Sequence, residues 1–142
     1  MRTDSYVAPR LCALFATAVL LLSACAPSEG AWPEGVTPEL VEKGRGIFGK
    51  EGFCFTCHDY DGTGGAAGAN LADSEWWHSD GSYEGIVATI TRGVPADKAR
   101  GGAASAMLPK GGTSMTEEQV RAVAAFVWSL QLPEEGEEPS GG

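Results

Sequence analysis

The chain has 142 residues, with 10 Lys and Arg, 19 Asp and Glu, and a formal net charge of −9. This acidity argues against a nucleic-acid-binding protein, because such proteins use Lys and Arg to neutralise phosphates. Glycine is frequent, at 20 residues, but it follows no three-residue period, which excludes a collagen-like chain. No apolar run reaches the roughly 20 residues of a membrane-spanning helix. Length and composition therefore indicate one small, glycine-rich domain.

The N-terminal segment, residues 1–24, has the pattern of an export signal. Arg2 and Arg10 flank a polar start, and the apolar stretch 11–22 that follows has the length of a signal-peptide core. It leads into Leu-Ser-Ala-Cys, which resembles a bacterial lipobox and implies that Cys25 carries a lipid. Small residues around Cys25 also fit ordinary cleavage, and an uncleaved anchor is a third possibility. We expect an exported protein, lipid-anchored to a membrane on the periplasmic or extracytoplasmic side.

The rest of the chain divides into a linker, a domain and a tail. Residues 25–35 are rich in Pro, Gly and Glu and are predicted to be a lipid-anchored linker. Residues 133–142 are acidic and have almost nothing apolar to bury, so we expect disorder there. The packed domain is predicted to be 36–132.

The first predicted helix begins at residues 37–39, Thr-Pro-Glu. A Thr hydroxyl caps free backbone N–H groups, Pro fits the first helical position, and an acid faces the positive end of the helix dipole. The helix should end near Gly49 or Gly52. The residues recurring at helical spacing are Leu40, Val41, Gly44, Ile47 and Phe48.

Two further helices follow. One should begin at Ser82, carry Ile86, Val87 and Ile90 on one face, and end at Gly93. The other opens with a capping box at residues 116–119. Its apolar stripe consists of Val120, Val123, Ala124, Val127 and Leu130. No stretch alternates convincingly enough for a strand, so the predicted fold is all-α, with three main helices and long glycine-rich loops.

The motif Cys54-Phe-Thr-Cys57-His58 has the spacing of a c-type haem attachment site. Two thiols on one helical turn can form thioethers with a single porphyrin, and the next residue then offers its imidazole to the iron. A zinc site would need two more ligands, and a redox dithiol would need a strand before it. The motif, together with the export signal, favours one covalent haem c.

With these residues in view, the domain resembles the class I cytochromes c, in particular small bacterial monohaem cytochromes and the haem-bearing subunits of haem–copper oxidases. The resemblance covers 36–132. Gly44 and Phe48 match the family's first helix, and Phe126 matches the aromatic of its last helix. The resemblance implies that the two helices cross at Gly44 and that Phe48 and Phe126 meet there.

The loop Gly68-Ala69-Asn70-Leu71 resembles the family's Gly-Pro-x-Leu loop, with Ala69 in place of Pro. The resemblance implies that the carbonyl of Ala69 accepts a hydrogen bond from His58 and that Leu71 lies in the haem pocket. Trp77 resembles a Trp whose indole N–H bonds a haem propionate, although a core position would explain it equally.

The sixth iron ligand is predicted to be Met107, which lies in a loop as the family's ligand does. Met115 immediately precedes a helix and forms a hydrophobic staple with Val120, which explains it without haem. The alternatives are Met115, His78 or an open iron.

A haem with two axial ligands implies an electron carrier rather than an enzyme. The expected partners are redox proteins, namely a quinol-oxidising complex, a terminal oxidase or a reaction centre. A haem subunit of a larger oxidoreductase, or a ligand-binding or peroxidase-type protein with an open sixth site, are the alternatives. The acidic charge would steer the domain toward a basic partner surface, or would only keep the protein in solution.

Overall fold

The computed structural model describes residues 32–100 and 102–132. The predicted signal segment, Cys25 and the acidic tail lie outside these residues. The described part confirms an all-α fold and contains α1 (Pro38–Phe48), α2 (Phe55–His58), α3 (Tyr83–Arg92) and α4 (Glu117–Ser129). Short 3₁₀ turns occupy Gly102–Ser105 and Pro109–Gly112.

Within that part of the chain, β-structure is limited to one isolated antiparallel bridge between Val94 and Met107. None of the helices described is long and apolar enough to cross a membrane.

The predicted helix starts are confirmed by their caps. The hydroxyl of Thr37 accepts a hydrogen bond from the backbone N–H of Leu40 at 3.2 Å, at the start of α1. The hydroxyl of Ser82 accepts from Gly85 N–H at 3.0 Å, at the start of α3. These bonds satisfy N–H groups that have no partner inside their helix.

The capping box of α4 is present in both directions. Gln119 N–H donates to the Thr116 hydroxyl at 3.2 Å, and Thr116 N–H donates to the Gln119 side chain at 2.9 Å. Met115 and Val120 are both buried in the core, which is the arrangement expected of a hydrophobic staple. The predicted stops are also correct, because Gly49 is the C-cap of α1 and Gly93 is the C-cap of α3.

The core forms where α1 crosses α4. Gly44 is so close to α4 that a Cβ built on it would lie 1.9 Å from the carbonyl oxygen of Ala122. Beside this crossing, Phe48 and Phe126 meet edge to face, with ring centroids 5.1 Å apart, as the resemblance implies. Burial of these rings contributes much of the core's apolar area.

The third main helix, α3, packs against α4 through Ile86 and Ile90, which are both buried. Tyr83 is buried at its start and donates its hydroxyl proton to the carbonyl of Arg121 in α4 at 3.2 Å. The three main helices therefore form one side of the domain. The remaining described residues are mostly loops, and a large cavity lies between those loops and the helices.

Candidate haem site

The cavity has a volume of about 600 Å³ and mostly apolar walls. Its size falls in the ordinary range of ligand and cofactor pockets. It lies between α2, the inner faces of α3 and α4, and the loops that carry the residues predicted from the sequence. All seven predicted cofactor-binding residues line it: Cys54, Cys57, His58, Ala69, Leu71, Trp77 and Met107.

Cys54 is the N-cap of α2 and is half-buried, and Cys57 lies within the single turn of α2 and is exposed. Burial raises the pKa of the Cys54 thiol to about 11, because a thiolate is poorly solvated there. Both sulfurs are free and border the same cavity. The N-cap and the single turn of α2 therefore present two thiols to one cavity.

One ring nitrogen of His58 already makes a hydrogen bond. Its Nδ1 lies 2.9 Å from the carbonyl oxygen of Ala69, and because a carbonyl only accepts, Nδ1 carries the proton. Burial lowers the pKa of His58, and the bond to Ala69 opposes that shift. A neutral ring with a protonated Nδ1 leaves the Nε2 lone pair available to a metal.

Glycines hold the Ala69 loop directly on α2. A Cβ on Gly68 would lie 2.4 Å from the Cys57 carbonyl oxygen, and one on Gly64 would lie 2.5 Å from the Ala69 carbonyl. Gly64 N–H also donates to the His58 carbonyl at 2.8 Å. This close packing sets the position of the Ala69 carbonyl, and the substitution of Ala for Pro leaves the bond to His58 in place.

Met107 enters the cavity from a different loop, which the bridge to Val94 holds in position. Val94 N–H donates to the Met107 carbonyl at 2.8 Å, and Met107 N–H donates to the Val94 carbonyl at 2.9 Å. Gly93 allows this approach, since a Cβ there would lie 2.3 Å from the Met107 carbonyl oxygen. The sequence did not reveal Gly93 and Val94 as positioning residues, because the pairing is non-local.

The other candidate ligands are placed differently. Met115 is only 4% exposed, belongs to the helix core and does not line the cavity. His78 does line the cavity, and its side chain is exposed at the rim. Its backbone carbonyl accepts a hydrogen bond from the Thr89 hydroxyl at 2.8 Å, which ties the loop around His78 to α3.

Trp77 also lies at the rim and is 43% exposed. The guanidinium of Arg100 sits over its ring at 4.3 Å from the centroid and pairs with Glu75 at 3.0 Å. Arg100 itself lines the cavity, where its charge would favour the acid groups of a haem. Arg100 was not predicted as a site residue, because it stands in an irregular loop.

The residues present fit a covalent haem. Two thiols, an imidazole nitrogen and a thioether border one apolar cavity, and Gly68 and Gly93 stand where a side chain would displace the loops that carry Ala69 and Met107. In the part of the chain that the structure describes, no cluster of three or more His, Cys, Asp or Glu side chains could hold a metal ion. The zinc alternative therefore has no ligand set among those residues.

Comparison with known proteins gives the same assignment. The family model of cytochrome c matches residues 41–131, so the chain belongs to the cytochrome c family. The predicted resemblance to class I cytochromes c and oxidase cytochrome subunits is confirmed. Membership implies a covalently bound haem c and an electron-carrying role.

The curated relatives are subunits of cbb3-type cytochrome c oxidases. The chain is 38% identical over 78 residues to the cbb3-type cytochrome c oxidase subunit FixPc of Rhizobium leguminosarum bv. viciae, covering 54% of this chain and 26% of the relative. It is 32% identical over 93 residues to the cbb3-type cytochrome c oxidase subunit CcoP of Rubrivivax gelatinosus, covering 66% and 27%. The chain thus spans about a quarter of the length of these relatives. No solved structure matches it.

Proposed function

We propose that this protein carries single electrons through one haem c, attached at Cys54 and Cys57, with His58 and Met107 as the two axial ligands. The observation that carries the proposal is that both side chains line one apolar cavity while backbone hydrogen bonds hold their loops in position. When bound, the haem supplies an iron that gains and loses one electron. The protein is a carrier rather than a catalyst.

The chain's own residues set the properties of this carrier. The thioether of Met107 favours the ferrous state and raises the reduction potential, and the apolar walls disfavour the extra charge of the ferric state. The bond from His58 to Ala69 fixes the ring orientation and increases its basicity as a ligand. Because His58 and Met107 would occupy both axial positions of the iron, neither substrate nor oxygen could bind to it.

The alternative is a ligand-binding or peroxidase-type protein with an open sixth site. Purified holoprotein distinguishes the two, because a carrier has a low-spin spectrum and a reversible one-electron titration. Ready binding of carbon monoxide by the ferrous wild-type protein would contradict the carrier proposal. Absence of any haem colour would contradict haem attachment at Cys54 and Cys57, and with it both readings.

The relatives' names suggest where the electrons go. Because those proteins are subunits of cbb3-type oxidases, we propose that this chain passes electrons between a quinol-oxidising complex and a terminal oxidase, or a reaction centre in a photosynthetic chain. A permanent haem subunit of a larger oxidoreductase is the close variant. Native purification from mild detergent tests it, since a subunit elutes with its complex and a free carrier elutes alone.

We further propose that the protein is exported and anchored by a lipid on Cys25. The domain order would be a signal peptide at 1–24, a linker at 25–35, the haem domain at 36–132 and an acidic tail at 133–142. A linker of this length spans roughly 15–20 Å on average, which keeps the domain close to the membrane surface. Cys25→Ser should release the protein from membranes, and mass spectrometry of the wild-type N-terminus should show the lipid.

A further inference from the structure

Three aromatic rings stack on the outer surface beside the haem cavity. We call Phe53, Phe55 and Tyr60 the aromatic stack. Phe55 and Tyr60 have ring centroids 4.5 Å apart with planes at 19°, and Phe53 and Phe55 have centroids 6.4 Å apart with planes at 29°. The stack therefore forms one continuous apolar surface rather than three separate side chains.

The stack is open to solvent at both ends. Phe53 is 60% exposed and Tyr60 is 63% exposed, although rings of this size normally bury most of their area. Phe53 also lines the haem cavity, whereas Phe55 and Tyr60 do not. The apolar surface thus begins at the cavity mouth and runs outward from it.

The backbone holds this arrangement in an unfavourable conformation. Phe53 and Asp59, at either end of α2, have φ of 53° and 60°, a region that side chains with a Cβ avoid. The Thr56 hydroxyl donates to the Phe53 carbonyl at 2.6 Å, and Phe53 N–H donates to the Lys50 carbonyl at 3.1 Å. These local bonds fix Phe53 in an exposed position at the edge of the cavity.

Carboxylates border the stack in sequence. Glu51, Asp59 and Asp61 are all exposed, and among the described residues none has a basic side chain within ion-pair distance. Thr63 donates to Asp61 from both its backbone N–H and its hydroxyl and lowers the pKa of that carboxyl. Lys50 is the one Lys or Arg within residues 50–61, so the residues that flank the stack along the chain, which we call its rim, are mainly negative.

We propose that the aromatic stack is the docking surface for a redox protein that presents an apolar patch rimmed by Lys and Arg. Aromatic anchors supply the contact area of such interfaces, and opposite charges steer encounter and fix orientation. One electron passes between the redox centres of the two proteins, and no bond or proton is exchanged. The proposal rests on the carrier function proposed above and adds the class of partner and the place of contact.

Charge complementarity favours this occupant over two others. A second copy of the chain would place Glu51, Asp59 and Asp61 against the same carboxylates, which is unfavourable. An anionic lipid surface would be repelled by the same rim. A protein with a cationic rim would be attracted by each of these carboxylates.

The test compares Tyr60→Ala with Trp32→Ala, because Trp32 is a 40% exposed aromatic at the other end of the described chain. Glu51→Lys is compared with Glu34→Lys, since both glutamates are exposed. Full-length holoprotein in mild detergent is mixed with membranes of the producing cell, taken from a strain that lacks this protein. Stopped-flow absorbance gives the rates at which the membranes reduce and reoxidise each variant at several ionic strengths.

We expect Tyr60→Ala to lower at least one of the two rates by about three- to tenfold, as loss of an interface anchor does. Glu51→Lys should lower the same rate and weaken its salt dependence, while Trp32→Ala and Glu34→Lys leave both rates unchanged. Equal rates for Tyr60→Ala and Trp32→Ala would overturn the docking proposal. The proposal would also be overturned if Tyr60→Ala left both rates unchanged and weakened only the binding of the protein to lipid vesicles, or only its self-association in sedimentation.

The carrier function is checked on the same samples. Spectrum, reduction potential and oxidation by ferricyanide, a small inorganic oxidant, should match the wild type in all four variants. If the wild-type protein lacks a low-spin haem spectrum or a reversible potential, the carrier proposal fails. If these are normal and only the membrane rates fail to discriminate the variants, the docking proposal alone fails.

Discussion

Gly44 of α1 lies directly against the backbone of Ala122 in α4. A Cβ added to Gly44 would be 1.9 Å from the carbonyl oxygen of Ala122 and 3.0 Å from the Cβ of Phe126. The crossing is therefore made by backbone atoms, and the edge-to-face pair of Phe48 and Phe126 packs beside it. Since α4 also forms one wall of the cavity through Val123 and Val127, this contact helps to position that wall.

Gly44→Ala should destabilise the holoprotein by about 3 kcal/mol or more, because a backbone carbonyl cannot move aside without separating the helices. Gly46→Ala is the matched control, since it lies in the same helix with nothing within 4 Å of its Cβ position. There, the gain in helix propensity should stabilise the protein by about 0.5–1 kcal/mol. Denaturant unfolding followed by haem absorbance measures both, and similar effects at the two sites would contradict this account of the crossing.

Replacement of the two methionines of the domain should have different effects, because Met107 lines the haem cavity and Met115 lies in the helix core. Met107→Ala should remove the sixth ligand, so that the ferrous protein binds carbon monoxide and the reduction potential falls. Met115→Ala should leave the spectrum unchanged and cost about 2–5 kcal/mol of stability, because it opens a void in the helix core. Visible spectra with and without carbon monoxide, followed by denaturant unfolding, check both. A normal spectrum for Met107→Ala would exclude it as the ligand.

The helices of this domain were predictable because their signals are local. Thr37, Ser82 and Thr116 each stand next to the residues they cap, and the apolar spacing behind them has a helical period. Gly44, Phe48 and Phe126 were predictable by resemblance to a family. The haem attachment motif was likewise predictable, because its five residues are consecutive in the sequence.

What the sequence did not predict depends on contacts between distant segments. The bridge between Val94 and Met107 involves no periodic pattern, so only the structure shows what holds the Met107 loop. The aromatic stack depends on positive φ at Phe53 and Asp59. Neither residue is a glycine, so the sequence contains no signal for these conformations. Arg100 reaches Trp77 by folding of an irregular loop.

Asp59 should be a site of stored backbone strain. Its φ of 60° and ψ of 168° lie in a region occupied almost only by glycine. It directly follows His58, so the strain is located where the chain leaves the proposed iron ligand. Asp59→Gly should stabilise the holoprotein by about 1 kcal/mol or more, because glycine adopts this conformation without steric cost. The spectrum should stay unchanged; a loss of stability in denaturant unfolding would contradict this.

Gly93 should control the position of Met107 through the backbone alone. Its φ of 69° and ψ of −171° fall in the same glycine region, and a Cβ would lie 2.3 Å from the Met107 carbonyl oxygen and 2.7 Å from Pro109 N. Gly93→Ala must therefore break the bridge between Val94 and Met107 or distort α3. We expect a mixed population in which part of the iron has lost its Met ligand, together with weakened stability.

Gly35→Ala is the control for Gly93→Ala, because Gly35 also has a positive φ, of 78°, but nothing lies within 4 Å of its Cβ position. It isolates the conformational cost of a side chain at positive φ, roughly 1–2 kcal/mol, without moving Met107. The Gly35 variant should keep the wild-type spectrum and its resistance to carbon monoxide, whereas the Gly93 variant should lose part of both. If both variants kept a fully Met-ligated spectrum, the loop of Met107 would not depend on the bridge to Val94.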